Sequence, residues 1–182
     1  MKILGISGTI IGSKTCAVLQ SVMAKIKDLY PEAEVEILDL KDYNLPFCDG
    51  RDPSAYSGDT RIVIDKITEA DCYIIATPIF QASIPGTLKN LFDLLPVDAM
   101  KHKVVSFIAT SGTYQHYLVV ENQLKPILSY FKSYTTPSFV YIHRDHFDTN
   151  NNIIDEEILN RLQRFIKETL TFQLTLYKYE LQ

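Results

Sequence analysis

The run Cys72-Tyr73-Ile74-Ile75-Ala76 is apolar at nearly every position, the pattern of a strand buried on both faces of a sheet. Four further strand-like runs accompany it: Lys2–Ser7, Glu34–Leu40, Val104–Ala109 and Ser138–Ile142. Glu34–Leu40 alternates charged and apolar residues, as a less buried strand does. Stretches of helical spacing separate these runs. From Ser13 to about Tyr30, the residues Ala17, Val18, Val22, Ile26 and Leu29 form one stripe that Pro31 closes. Arg61–Glu69 and Pro85–Leu95 predict two more helices. A fourth is predicted from about Gln115 to Tyr134, with Pro126 inside it to kink it or break its hydrogen-bond ladder. A last helix starts near Asp155. Lys41–Asp59 and Asp145–Asn152 read as loops. Five strands alternating with helices argue an α/β fold, a parallel, doubly wound sheet.

Composition narrows the class. At 182 residues, 46% hydrophobic and 22% charged, the chain is expected to form one globular domain, 1–182. A net charge of -4 argues against a nucleic-acid surface, which needs clustered positive charge. No apolar run approaches the ~20 residues that span a bilayer. Met1–Ile6 is too short before its polar loop to act as a secretory signal. Cys16, Cys48 and Cys72 are odd in number and widely spaced, which suggests neither a disulfide framework nor a zinc ribbon. The expected compartment is cytoplasmic.

In such a fold, the loops after strands one, three and four open on one edge of the sheet, where ligands bind. Here they are Ser7–Thr15, Thr77–Ile84 and Thr110–Tyr114. The first holds Ser7, Gly8, Thr9, Gly12, Ser13, Lys14 and Thr15 and leads directly into a helix. Backbone N–H groups at a helix start, with hydroxyls nearby, form an anion site suited to phosphate, and Lys14 adds positive charge. The competing reading is an ordinary helix with Ser13 as its N-cap. Gly5, Gly8 and Gly12 do not fit a dinucleotide fingerprint, and Ser13 interrupts the Gly-Lys of a nucleotide-triphosphate loop. The other two loops are different. Pro78, Ile79, Phe80, Gln81 and Ala82 combine apolar bulk with backbone amides, and Ser111-Gly112-Thr113 lets a flat ring approach closely. Phosphate at one end and a flat heterocycle at the other describe flavin mononucleotide (FMN).

The segment Thr77-Pro78-Ile79-Phe80-Gln81-Ala82-Ser83-Ile84-Pro85-Gly86-Thr87-Leu88-Lys89-Asn90 closely resembles the Thr-Pro-x-Tyr-x-x-Ser-x-Pro-Gly-x-Leu-Lys-Asn motif of the NADPH-dependent FMN reductases. The resemblance runs over about residues 2–142. Through Gly112 and Leu124-Lys125-Pro126-Ile127-Leu128 it is similar to the sulfonate-utilisation flavin reductases in particular. It implies a flavodoxin-like fold, a five-stranded parallel sheet of order 2-1-3-4-5 with helices on both faces. It also implies that Ser7, Ser13, Lys14 and Thr15 hold the flavin phosphate, with Thr9 in the same loop. Pro78, Ile79, Phe80, Gln81 and Ser83 would line the isoalloxazine and ribityl chain, and Ser111, Gly112 and Thr113 the pyrimidine edge. The chain departs from the family in three places. Ile10 and Ile11 stand where many relatives carry a phosphate-binding arginine, Phe80 replaces a tyrosine, and Asn122 replaces a tyrosine associated with flavin acting as a released substrate.

The implied activity is hydride transfer from NADPH or NADH to FMN, and on to free flavin, a quinone or an azo dye. It requires no side-chain acid, base or nucleophile. The alternative is a non-catalytic electron carrier or flavin-binding partner of a flavin-dependent monooxygenase. Relatives assemble as homodimers or homotetramers. Leu88, Leu91, Phe92 and Leu95, with Tyr117, Leu118 and Phe131, fit either such an interface or the core. His143-Arg144-Asp145-His146-Phe147-Asp148 fits a solvated loop better than a metal site. His116 is left open between a substrate contact and a helix cap. Cys16 is read as a packing residue rather than a reactive thiol. The aromatic tail, Phe172 to Tyr179, is read as packing or a subunit contact.

Overall fold

A computed structural model describes residues 1–180, with side chains through Lys178, so the side chain of Tyr179 lies outside the described residues. Among these residues, five strands form one parallel sheet: β1 (Lys2–Ser7), β2 (Glu34–Asp39), β3 (Cys72–Pro78), β4 (Val104–Ser111) and β5 (Tyr134–His143), in the order β2-β1-β3-β4-β5. Among the described residues, five α-helices cover it: α1 (Lys14–Leu29), α2 (Gly58–Glu69), α3 (Gly86–Leu94), α4 (Lys125–Tyr130) and α5 (Glu156–Glu180). This is the flavodoxin-like architecture expected from the sequence.

β3 shows why its run is apolar throughout. Tyr73 and Ile75 point into a core shared with α2, α3 and α4, including Ile64, Ile67, Leu88, Leu91 and Leu128. Cys72, Ile74 and Ala76 point the other way, into a core shared with α1 and α5 that holds Leu19, Val22, Leu162 and Phe165. A period of two thus divides one strand between two dry layers. At the edge, β2 leaves Glu36 partly exposed, paired with Lys66 and, at 3.3 Å, with Lys2. Leu88, Leu91, Phe92, Leu95 and Phe131 are buried in the core, whereas Tyr117 and Leu118 remain exposed. In α5, Phe172 and Tyr177 are likewise exposed.

The predicted Gln115–Tyr134 helix is corrected. The chain runs through turns to Leu118, forms a π-helical turn at Val120–Leu124 and is α-helical only over Lys125–Tyr130. The Lys125 N–H donates to the Val120 carbonyl, one residue beyond the α-helical partner. Pro126 follows and has no N–H to give, so the break expected at this proline takes the form of a wide turn just before it. The helix ends in a Schellman pattern, with Ser133 N–H donating to the Leu128 carbonyl and Lys132 N–H to that of Ser129, both at 3.0 Å. Its left-handed residue is Lys132, at φ 56°, so no glycine marks the stop. β5 therefore begins at Tyr134 rather than Ser138, and Pro137 is tolerated because β5 is an edge strand.

Candidate functional site

The loops leaving β1, β3, β4 and β5 surround a cleft of about 430 Å³ at the carboxyl edge of the sheet. A groove of about 540 Å³ lies elsewhere, on the flank of β5 against α5, lined by residues such as Tyr117, Arg164 and Glu168. Open α/β sheets bind ligands at the carboxyl edge, so the smaller cleft is the candidate site.

The first loop is folded by its own side chains. The Gly8 N–H donates to the Ala76 carbonyl at 2.8 Å, and Thr9 Oγ1 accepts from Ile11 N–H at 3.2 Å while donating to the Ile11 carbonyl at 3.0 Å. Gly12, at φ 80°, turns the chain into α1 in a conformation open to glycine. Ser13 occupies the N-cap position yet makes no capping bond; its Oγ accepts instead from Asn151 Nδ2 at 3.0 Å. The hydroxyl-cap alternative is therefore not what this serine does. Lys14 Nζ donates to Asn151 Oδ1 at 3.1 Å and lies 5.4 Å from the centre of the Phe147 ring. Thr15 Oγ1 meets Thr110 Oγ1 at 2.7 Å, tying α1 to the end of β4.

After β3 the chain makes a small hairpin. Phe80 and Ser83 exchange both backbone bonds at 2.9 Å, and the two residues between them, Gln81 and Ala82, have φ of 48° and 62°. That is the mirror-image turn favoured in hairpins, built here without glycine or asparagine, so it stores backbone strain. Gln123, from the π-helical turn, holds it in place. Its Oε1 accepts from Ser83 Oγ at 2.7 Å and its Nε2 donates to the Ala82 carbonyl at 3.3 Å.

After β4, Ser111 Oγ accepts from Thr113 N–H at 3.2 Å, and the Thr113 carbonyl accepts from Tyr141 Oη at 2.6 Å. His143 Nδ1 accepts from the Asp145 N–H at 3.3 Å, so its Nε2 carries the proton and donates to the Gly112 carbonyl at 2.8 Å. The Tyr114 ring stacks on His143, with centroids 4.3 Å apart, and its hydroxyl meets His146 Nε2 at 3.1 Å. These histidines brace the loop after β4. Among the described residues, no group of three or more His, Cys, Asp or Glu side chains is placed to hold a metal ion.

The cleft brings together Ser13, Lys14, Thr15, Pro78, Ile79, Phe80, Ser111 and Gly112. Ser7, Thr9, Gln81, Ser83 and Thr113 do not line it. Ser7 is completely buried beneath the first loop, and its Oγ has no hydrogen-bond partner among the described residues. Thr9 and Ser83 shape their loops from behind. Gln81 is exposed at the hairpin tip, and Thr113 faces Tyr141 through its carbonyl. His116 does not line the cleft either. Burial, together with the nearby Asp39 carboxylate, pushes the Cys16 thiol up, as befits a packing residue.

Sequence reasoning missed a fourth wall. Arg144 and Phe147, from the loop after β5, line the cleft, and the Arg144 side chain passes within 4 Å of where a Cβ on Gly112 would lie. The signal was available: β5 is parallel to the other strands, so its following loop opens on the same edge. Arg144 brings a second cation to a cleft whose first loop lacks an arginine.

The residues fit FMN. Hydroxyl and ammonium donors gather at the start of α1, and Pro78, Ile79, Phe80 and Phe147 supply apolar surface farther along. The sequence profile of the family described as NADPH-dependent FMN reductase matches residues 1–147. A relative from Geobacillus thermodenitrificans named NAD(P)H-dependent FAD/FMN reductase is 52% identical over 170 residues, 93% of this chain and 92% of the relative. Among solved structures, the apo form of an NADH:FMN oxidoreductase, EMOB, superposes with a TM-score of 0.76 at 23% identity, covering 96% of this chain and 89% of that one. A Streptococcus pneumoniae flavodoxin superposes at 0.63 and 14% identity, over 94% and 98% of the two chains, and so shares the fold. The chain belongs to the NADPH-dependent FMN reductase family, a family of oxidoreductase enzymes.

Proposed function

We propose that this protein is an NAD(P)H-dependent flavin oxidoreductase that holds FMN in the cleft at the carboxyl edge of its sheet. The observation that carries this reading is the polarity of the cleft along its length. One end offers only donors and a cation, from Ser13, Lys14 and the unpaired N–H groups of the first turn of α1. The other offers the apolar hairpin Pro78-Ile79-Phe80 facing the small loop at Gly112. The phosphate belongs at the first end and the isoalloxazine at the second, with Ser111 and Gly112 along the pyrimidine edge and Thr113 bracing that loop through its N–H bond to Ser111. Ser7, Thr9 and Ser83 support these walls from behind, and Gln81 forms the exposed tip of the hairpin. Arg144, beside Gly112, adds positive charge where the reduced ring would carry negative charge.

FMN held there would supply the two-electron chemistry, as hydride acceptor at N5 from NADPH or NADH and as electron donor to free flavin, a quinone or an azo compound. The protein's own task is to exclude water from the ring, orient it and donate hydrogen bonds. Asn122, in place of the family's tyrosine, favours flavin that stays bound. The resemblance at Leu124–Leu128 supports a flavin-dependent monooxygenase as one acceptor system. The exposed Tyr117 and Leu118 support a homodimer or homotetramer. Three free cysteines accord with a reducing, cytoplasmic setting. Among the described residues, no helix is long and apolar enough to cross a membrane.

The test is oxidation of NADPH and of NADH by the purified protein, with and without added FMN, followed by a panel of acceptors. Yellow protein after gel filtration and coenzyme oxidation in the presence of FMN are expected. No coenzyme oxidation under any of these conditions overturns the proposal.

A further inference from the structure

Ser13 and Lys14 are both engaged by one residue lying 137 positions beyond Lys14. Asn151 sits at the tip of the turn after β5, and its side-chain amide touches both. The direction of these bonds is chemically forced. An ammonium group can only donate, so the amide oxygen must face Lys14, and the amide NH₂ is then left to face Ser13. Ser13 therefore receives a hydrogen bond on its oxygen and keeps its own proton free. Lys14 uses one N–H on Asn151 and keeps two. Both residues line the cleft, and the Ser13 hydroxyl is not consumed by a helix cap.

The tip that carries Asn151 is itself tightly held. Asp148 accepts from the backbone N–H groups of Asn150 and Asn152, each at 2.8 Å, and from Asn152 Nδ2 at 3.0 Å. The Asp148 N–H donates to the Asn152 carbonyl at 2.9 Å, and the Asn151 N–H donates to the Asp148 carbonyl at 3.2 Å. Asn151 adopts φ 65°, a conformation that asparagine tolerates better than most residues. Beneath it Phe147 is buried, its ring below the Lys14 ammonium. A rigid tip thus presents one amide to two loop residues at the far end of the chain.

We propose that Asn151 is a positioning residue for phosphate recognition, and that through it the loop after β5 makes the cleft select FMN over riboflavin. The amide fixes the polarity of Ser13 and Lys14 so that only donors face the anion. The inference rests on the FMN reading above and deepens it by assigning the preference for the phosphorylated flavin to a residue that does not line the cleft.

The experiment measures dissociation constants for FMN and for riboflavin, by quenching of flavin fluorescence, on the full chain and three variants. Asn151→Gly keeps the left-handed backbone and removes the amide. Asn151→Asp keeps the shape and replaces the NH₂ donor with an acceptor. Lys14→Ala removes the cation. The unmodified protein is expected to prefer FMN. Asn151→Gly should weaken FMN about tenfold and leave riboflavin unchanged, the effect of disordering hydrogen bonds to a charged group. Asn151→Asp should lose more, because the carboxylate repels phosphate and draws the Ser13 proton to itself. Lys14→Ala should abolish most of the preference. If Lys14→Ala loses the preference and both Asn151 variants keep it, the role of Asn151 is overturned while the FMN site stands. Equal weakening of both flavins in the Asn151 variants, with a lowered melting temperature, also overturns it, since that is the mark of a loosened fold. If the unmodified protein does not distinguish FMN from riboflavin, the phosphate reading itself fails and the inference falls with it.

Discussion

Replacing Gly8 by alanine is expected to disturb fold and site together, because Gly8 is where the first loop rests on the helix of the Thr77–Asn90 motif. A Cβ there would lie 2.9 Å and 3.2 Å from the two methyl carbons of Leu88 and 3.2 Å from the Ala76 carbonyl oxygen. Carbon atoms settle at about 3.5–4.0 Å, so the worst contact is about 0.6 Å too short or more. Leu88 is completely buried in the core, which limits its escape, and Ala76 belongs to the central strand β3. The Gly8 N–H bond to Ala76 and the Thr87 Oγ1 bond to the Gly8 carbonyl, at 3.4 Å, oppose a shift of the loop itself. Overpacking of this kind costs about 1–3 kcal/mol. At about 2 kcal/mol, a chain of this size should lose about 4–8 °C in Tm. Thermal unfolding followed by circular dichroism gives the first reading and FMN titration the second, with affinity falling as the first loop is pushed from α3. Gly12→Ala is the comparison. It meets open space but must hold φ 80°, so it should show only the smaller backbone cost, about 1 kcal/mol. If Gly8→Ala melts and binds FMN like the parent, the packing argument is wrong.

Other perturbations probe other walls. Gln123→Ala removes the anchors of the strained Gln81–Ala82 turn and should weaken FMN and riboflavin alike, by about tenfold at most, the scale of two lost hydrogen bonds at a partly exposed site; a fall confined to FMN would contradict this placement. Ala82→Gly relieves a left-handed alanine and should raise stability by about 0.5–1 kcal/mol in a denaturant titration, whereas a lower stability would show that the turn is not strained. Burial pushes the Cys72 thiol up from 9.0 to about 12, so it stays protonated in the fold where an unfolded thiol ionises. Stability from this residue is full below 9.0 and declines as pH rises from there toward 12. Mass spectrometry after alkylation of the native protein near pH 8.5, an ordinary thiol value, should therefore find label on the partly exposed Cys48 and none on Cys72. Label on Cys72 under native conditions would contradict its burial.

Much of the fold was legible because β3 is buried on both faces and so cannot alternate, while β2, at the edge, does. What failed to show had specific causes. The end of α4 is marked by a left-handed lysine, Lys132, where a glycine would have announced it. The start of β5 was masked by Pro137, which only an edge strand accepts. In the site, the first, third and fourth loops could be read from their glycines, hydroxyls and prolines. The loop after β5 could be placed only by topology, because Arg144, Asp145 and His146 have the composition of a solvated turn. The pairing of Asn151 with Ser13 and Lys14 joins residues from opposite ends of the chain, and no local pattern in one sequence encodes that. Gln81 and Ala82 were also silent, since neither is a residue that ordinarily advertises a left-handed turn.

The function proposed for this cleft is to bind FMN and to pass electrons to it from a nicotinamide coenzyme. Anaerobic mixing of FMN-loaded protein with NADPH or NADH, followed through the flavin absorbance, tests it most directly. Bleaching of the flavin with at least one coenzyme, abolished together with FMN binding in Lys14→Ala at limiting FMN, is the expected result. Flavin that remains oxidised with both coenzymes, or a protein that takes up no FMN, would contradict it.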